Sequence, residues 1–401
     1  MFLLVDIVLF LISLGLLVPI TVLFVECSAA LLLSKSASEP VPELHPTVTV
    51  LVPAHNEALG ISATLEILVP QLSNPEQVVV IADNCSDETA ALARTFGVRV
   101  IERQDNEQRG KGYALDYGLQ SLKLEPPDVV VVVDADCIVH QGTIEQIAQL
   151  AAAMKRPVQA TYLMEQPPNP GPKDAVSALA FMVKNLVRPY GLKRLGLPSL
   201  LTGTGMAFPW SALQNTTLAS GNIVEDMQLG LDLAIVGQPP IFCEEGKVTG
   251  RLPQQAQAAT SQRTRWEHGH LQTLLTQVPK LLQLSISQRR FDLFALALDM
   301  CVPPLSLLVM IWLIVLVGAL VAGAFGTSWL PAIFLFLEGL LIVVSIIGAW
   351  AKFGREDLPA RTLLSIPFYV LWKIPLYFSF LVRPQTKWIR TERDSIETPE
   401  S

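Results

Sequence analysis

Asp134 and Asp136 stand one residue apart directly after Val129-Val130-Val131-Val132-Val133. A nearly unbroken apolar run of this kind reads as a strand buried on both faces, and it delivers two carboxylates to its carboxyl end, where open α/β sheets place their chemistry. Two carboxylates at that spacing can share a hard divalent cation, and such a cation neutralises the oxygens of a diphosphate. The chemistry in view is metal-dependent work on a nucleotide-linked substrate. The alternative is that both residues cap the turn after the strand.

Other stretches carry groups suited to the same task. Pro53-Ala54-His55-Asn56-Glu57 follows the first strand, where a nucleotide-binding sheet meets its ligand. The chain lacks G-x-G-x-x-G and Walker A patterns, which removes the main support for dinucleotide-dehydrogenase and P-loop readings. Asp83 closes the second strand and could accept a hydrogen bond from a base edge or ribose, while Ser86 or Asp87 could simply cap the next helix. Arg109-Gly110-Lys111-Gly112 sets two cations and two glycines before a helix, which suits close approach to phosphates or, equally, an exposed basic turn. Thr202-Gly203-Thr204-Gly205-Met206 allows a ligand close to the backbone. Glu225-Asp226 opens a helical pattern, where carboxylates also favour the helix dipole. Gln262, Arg265 and Trp266 precede an amphipathic stretch, where Arg and Trp could equally anchor at a membrane interface.

These residues need a scaffold, and the hydrophobic periodicity supplies one. Strands are expected at Thr47–Pro53, Gln77–Ala82, Val98–Ile101 and Val129–Val133, with helices at Ser62–Leu72, Glu88–Phe96 and Gly112–Leu122 between them. That alternation implies βαβ units and an α/β fold with a mostly parallel sheet covered on both faces.

With 51% hydrophobic and 16% charged residues in 401, the chain is too apolar for an ordinary soluble protein. The excess is localised. Ile7 to Leu33 reads as a transmembrane helix, with no basic residue before it to suggest a cleaved leader. Val302–Phe325 and Trp329–Ala351 are long enough to span, the second carrying Glu338, which should face a neighbouring helix or cavity rather than lipid. Leu363–Val382 contains Pro367, Lys373 and Pro375 and reads as re-entrant, interfacial or spanning. Lys35 and the tail residues Arg383, Lys387, Arg390 and Arg393 place the flanking segments in the cytoplasm. Five scattered cysteines in no metal-ligand spacing suggest a reducing compartment. A net charge of -7 argues against nucleic-acid binding.

Taken in order, Asp83, Asp134-Ala135-Asp136, Glu225-Asp226 and Gln262-x-x-Arg265-Trp266 give the chain a resemblance to the family-2 glycosyltransferases. The branch it resembles is membrane-integrated and contains cellulose, chitin and hyaluronan synthases and bacterial exopolysaccharide synthases. The likeness covers about Thr47 to His270 and extends to the membrane segments. It implies a GT-A-type nucleotide-sugar-binding domain and the following roles. Asp83 would contact the uracil of a UDP-sugar, Lys111 would lie near the nucleotide, and His55, Asn56 and Glu57 would belong to the donor side. Asp134 and Asp136 would hold Mg²⁺ or Mn²⁺ on the diphosphate. Asp226, with Glu225 beside it, would be the general base. Gly203, Thr204 and Gly205 would leave room for the acceptor, and Gln262, Arg265 and Trp266 would border acceptor and diphosphate.

The activity implied is inverting transfer onto a growing polysaccharide, with transfer of one sugar to a lipid as the alternative. The partners implied are a UDP-sugar, a glycan or lipid acceptor, the bilayer, and a homo-oligomer or export partner. The expected organisation is an N-terminal span at 1–34, a cytoplasmic transferase domain at 35–260, and the acceptor-side motif with interfacial helices at 261–292. Two spans plus a re-entrant segment or third span follow at 293–383, and a basic cytoplasmic tail at 384–401. The location implied is the inner or plasma membrane.

Overall fold

The computed structural model describes residues 2–32, 44–167, 170–214, 216, 218–219, 223–251 and 256–382. The basic tail at 384–401, most of the linker after the first apolar run, and Asn222 lie outside the described residues. The chain divides into two compact units.

One unit takes in the described residues of 44–167 and 198–269 and contains the whole sheet. Its strands are β1 (Val48–Ala54), β2 (Val78–Asp83), β3 (Arg99–Arg103), β4 (Val129–Val132), β5 (Cys137–Val139), β6 (Val158–Glu165), β7 (Met206–Pro209) and β8 (Ile241–Arg251). The order across the sheet is β3-β2-β1-β4-β7-β6-β8-β5. β1 pairs parallel with both β2 and β4, β2 with β3, and β6 with β8. β7 runs antiparallel to β4 and β6, and β5 antiparallel to β8. The sheet is therefore mixed but mostly parallel.

The apolar strands are continuous because both faces are covered: every residue of β2 and β4 is buried. Helix Lys111–Ser121 covers one face through Ala114, Leu115 and Leu119, which pack with Leu51, Ile81 and Val130. Three strands extend past their expected ends, β1 by the single residue Ala54. β2 continues to Asp83 and β3 to Arg103 because these two residues are register partners. The ladder can hold polar residues there because their side chains satisfy each other.

The second unit takes in residues 2–32, 170–197 and 270–382. Three of its helices, Phe2–Leu32, Leu305–Ala324 and Leu330–Gly354, are long and apolar enough to cross a membrane. The last apolar helix, Ile366–Val382, has 17 residues; at ~1.5 Å each it falls short of a hydrocarbon core of ~30 Å. Glu338 is 1% exposed, turned into the helical unit rather than outward. Asp6 accepts the Ser328 amide at 2.9 Å, just before helix Leu330–Ala349.

Residues 170–197 fall inside the expected 35–260 domain, yet they group with the apolar helices. The physical reason is one buried ion triad. Arg188 donates from Nε to Glu26 at 2.6 Å and from Nη2 to the Asp299 carboxylate at 2.5 Å and carbonyl at 2.6 Å. All three residues are buried, so none can leave the cluster without exposing the others to an apolar interior.

Candidate active site

β1 lies between β2 and β4, all parallel, so the three strands end on the same edge of the sheet. His55-Asn56-Glu57, Asp83 and Asp134 follow from those ends. The loops after β1 and β2 are stitched together. His55 Nδ1 donates to the Asp83 carbonyl at 2.6 Å, and Asn56 accepts the Ser86 amide at 2.7 Å while donating to its hydroxyl at 3.1 Å. The Glu57 amide donates to Thr89 Oγ1 at 2.8 Å. His55 and Asn56 thus shape the loop pair with their side chains. Asp87 takes the turn-capping role that sequence allowed, accepting the Thr89 amide and hydroxyl.

Lys111 begins helix Lys111–Ser121, ion-pairs with Asp134 and donates to the Gly203 carbonyl at 2.6 Å. Arg109, the other cation of that turn, bonds Asn106 at the surface instead. Gly203 has φ +98°, and a Cβ there would lie 3.2 Å from Asp226 Oδ2 and 3.8 Å from Lys111 Nζ. A side chain would therefore be strained and would crowd the carboxylate. Glu225 and Asp226 occupy the first turn of helix Glu225–Ile235, where the helix dipole favours negative charge. Four separate segments meet here: Asp134 after β4, Lys111, Gly203 and Asp226.

The electrostatics follow from this crowding. Burial alone would lower the Lys111 pKa, but Asp134, Glu225 and Asp226 outweigh it and hold the ammonium above its ordinary value. Burial raises the Asp134 carboxyl, Lys111 opposes, and Asp136 and Asp226 add to the rise. Burial also pushes Glu225 up to about 7, with Asp226 adding and Lys111 opposing.

Ligand atoms of Asp134, Asp136 and Cys137 all lie within 4.8 Å of one another. Cys137 is 1% exposed, and burial, then Asp136 and Asp134, drive its thiol well above the ordinary range. The donors suited to a cation are therefore the two carboxylates, whose hard oxygens fit Mg²⁺ or Mn²⁺.

Thr204 and Gly205, expected to leave room for the acceptor, each have defined contacts within the fold. Thr204 is completely buried, and its hydroxyl accepts the Asp134 amide at 3.1 Å. Gly205 turns at φ +64° against Val248 and Ala160, where a Cβ would meet atoms at 2.8 and 3.1 Å. Both position the loop, and only Gly203 of the three reaches the carboxylates. Gln159, which sequence reading passed over, holds the same loop: it donates to the Thr204 carbonyl at 2.9 Å and accepts the Thr202 amide at 2.8 Å. An amide inside the apolar run Val158–Ala160 was the available signal.

Asp83 is buried and paired. Its Oδ1 accepts from Arg103 Nη1 at 2.7 Å and from Asn84 Nδ2 at 3.1 Å, while Arg103 Nη2 reaches Asp105 at 2.9 Å. Gln262, Arg265 and Trp266 lie within one helix, Ala256–Ser287, rather than ahead of the amphipathic stretch they were expected to precede. Their i, i+3, i+4 spacing puts them on one face, each partly exposed. On the same helix, a Cβ at Gly269 would sit 2.8 Å from Val224, which sets the helix against the turn before Glu225-Asp226.

An α/β sheet of this order, with carboxylates and a lysine gathered beyond the ends of its parallel strands, is a nucleotide-sugar-binding fold of the GT-A type. Residues 45–269, more than half of the chain, match Glycosyltransferase like family 2, and the protein belongs to that family as a nucleotide-sugar-dependent glycosyltransferase. The "Probable glycosyltransferase YdaM" of Bacillus subtilis (strain 168) is 23% identical over 394 residues, covering 87% of each chain. The "4,4'-diaponeurosporenoate glycosyltransferase" of Staphylococcus aureus (strain MRSA252) is 32% identical over 93 residues, 23% of this chain and 24% of that protein. Among solved structures, the mannosyltransferase PcManGT from Pyrobaculum calidifontis, in complex with GDP-Man and Mn2+, has a TM-score of 0.55 at 17% identity. That likeness covers 96% of this chain and 100% of that one, and it is a likeness of fold.

Proposed function

We propose that this glycosyltransferase moves a hexose, with inversion, from a UDP-sugar to a growing polysaccharide at the membrane. The observation that carries the reading is the convergence of Asp134, Lys111 and Asp226 around Gly203. Inversion needs one base on the acceptor and a stabilised leaving group opposite it. Asp226 takes the proton from the acceptor hydroxyl, and Glu225 beside it raises the local negative charge. Lys111, held protonated by its acidic neighbours, sits where it can meet the departing diphosphate. Asp134 and Asp136 are the residues that would hold Mg²⁺ or Mn²⁺, which when bound neutralises diphosphate charge. Arg265 and Trp266 offer a cation and an aromatic face on the helix set against the Asp226 turn.

The three long apolar helices support membrane integration, and Lys35 with the basic residues after Val382 supports a cytoplasmic catalytic unit. The Gln262-x-x-Arg265-Trp266 motif favours the polymer product. The small number of long apolar helices among the described residues, three, favours the second reading, one sugar to a lipid, because three are few for a polymer channel. The test is UDP release by the full chain in nanodiscs across a panel of UDP-sugars with Mg²⁺ or Mn²⁺, with the labelled product sized. Long polysaccharide supports the first reading and an organic-extractable product the second. Hydrolysis-free silence with every UDP-sugar, alongside turnover of another nucleotide sugar, overturns the donor assignment.

A further inference from the structure

We infer that Arg103 is a specificity-determining residue that makes the donor site select a uracil over a guanine base, by occupying one of the two oxygens of Asp83. The inference rests on the proposed reading that the end of β2 receives the donor base.

The argument starts from the ladder. β2 and β3 pair in parallel with Asp83 opposite Arg103, so the two side chains are neighbours by register. Both are buried, the side chains 8% and 9% exposed. Arg103 Nη1 donates to Asp83 Oδ1 at 2.7 Å, and Asn84 Nδ2 donates to the same oxygen at 3.1 Å. A carboxylate oxygen has two lone-pair sites, so Oδ1 is saturated. Oδ2 has no bond among the described residues and is the oxygen left for a ligand. Arg103 is itself fixed from its other side. Nη2 holds Asp105, whose Oδ1 accepts the Glu107 and Gln108 amides at 2.9 Å each, and the guanidinium lies 5.8 Å from the Tyr113 ring centroid. It cannot swing aside for a base without breaking this set.

One free carboxylate oxygen reads bases unequally. Uracil presents a single N–H between two carbonyls, so it needs one acceptor, and a second bare carboxylate oxygen would repel a carbonyl. Guanine presents two parallel N–H donors that bind best to both oxygens of a carboxylate. Cytosine presents a ring lone pair that meets the carboxylate with repulsion. With Oδ1 filled by Arg103 and Asn84, the match is to uracil. Sequence reading missed Arg103 because the third strand was expected to end at Ile101.

The experiment is calorimetry of UDP, GDP and CDP, each with Mn²⁺, on the full chain in nanodiscs for the wild type, Arg103→Met, Arg103→Lys and Asp83→Ala. Expected are a wild-type preference for UDP over GDP of at least about tenfold, its collapse to within about threefold in Arg103→Met, and an intermediate ratio in Arg103→Lys. Mn²⁺-dependent binding of inorganic pyrophosphate should stay within about twofold in every variant, which separates loss of base reading from loss of fold. A UDP/GDP ratio unchanged in an Arg103→Met protein that still binds pyrophosphate overturns the role of Arg103, as does a wild type that prefers GDP. If Asp83→Ala leaves UDP affinity untouched, the base is not read at the end of β2, and the donor-site reading falls instead.

Discussion

Lys111 bridges Asp134 and the Gly203 carbonyl, so one ammonium joins the end of β4 to the loop before β7. Replacing it by Met leaves Asp134 beside Glu225 and Asp226 without a counter-charge. Lys111→Met is expected to lower kcat by at least about a hundredfold while the fold survives. Turnover in the presence of saturating donor checks this, and near-normal kcat would remove Lys111 from the reaction.

Asp226→Asn keeps the shape beside Gly203 but removes the base. UDP-sugar binding should persist and transfer should stop, as read by calorimetry and product formation on the same preparation. Full turnover in this variant would sink the base assignment.

The Glu225 carboxyl, pushed up to about 7, keeps its proton below that pH and sheds it above. The acidic pair carries its second negative charge only on the alkaline side, where Asp226 is the stronger base. Measured kcat should therefore rise through about pH 7 to a plateau, and Glu225→Gln, which has no proton to lose, should abolish this limb. A wild-type profile flat across that range would contradict the coupling.

Asp136→Ala should weaken Mn²⁺-dependent UDP binding, and chelation of the wild type with EDTA should mimic it. Thr204→Val should produce a smaller loss, because it withdraws only the hydroxyl that holds the Asp134 amide; an unsatisfied buried amide costs about 1–3 kcal/mol. Calorimetry with and without Mn²⁺ ranks the three. Equal affinity in all conditions would exclude the carboxylate pair from the metal site.

Arg188→Met leaves Glu26 and Asp299 buried without their partner. Breaking such a set costs about 3–5 kcal/mol. Thermal unfolding in nanodiscs should show a clear drop in Tm, whereas replacement of the exposed Arg94, paired with Glu102 at the surface, should change it little.

The α/β class, the apolar helices and the chemistry-bearing residues were legible in the chain because each depends on local pattern. Val129–Val133 could hardly be anything but a buried strand, and the carboxylates after it could be read from type and spacing alone. The same local logic singled out Gly203, Thr204 and Gly205, though not the contacts that Thr204 and Gly205 make within the fold. Burial decides that, and burial belongs to the fold.

Sequence by itself determined which groups are available: two carboxylates after β4, a lysine opening a helix, an acidic pair opening another. Tertiary structure alone decided their relations. Parallel register set Arg103 beside Asp83, the loop before β7 brought the Thr204 hydroxyl to the Asp134 amide, and Arg188 found Glu26 162 residues away. Periodicity reports which way a residue faces over a few turns of chain. Pairing across tens of residues is fixed by packing, where a charge or an unsatisfied amide must find its partner or not be buried at all.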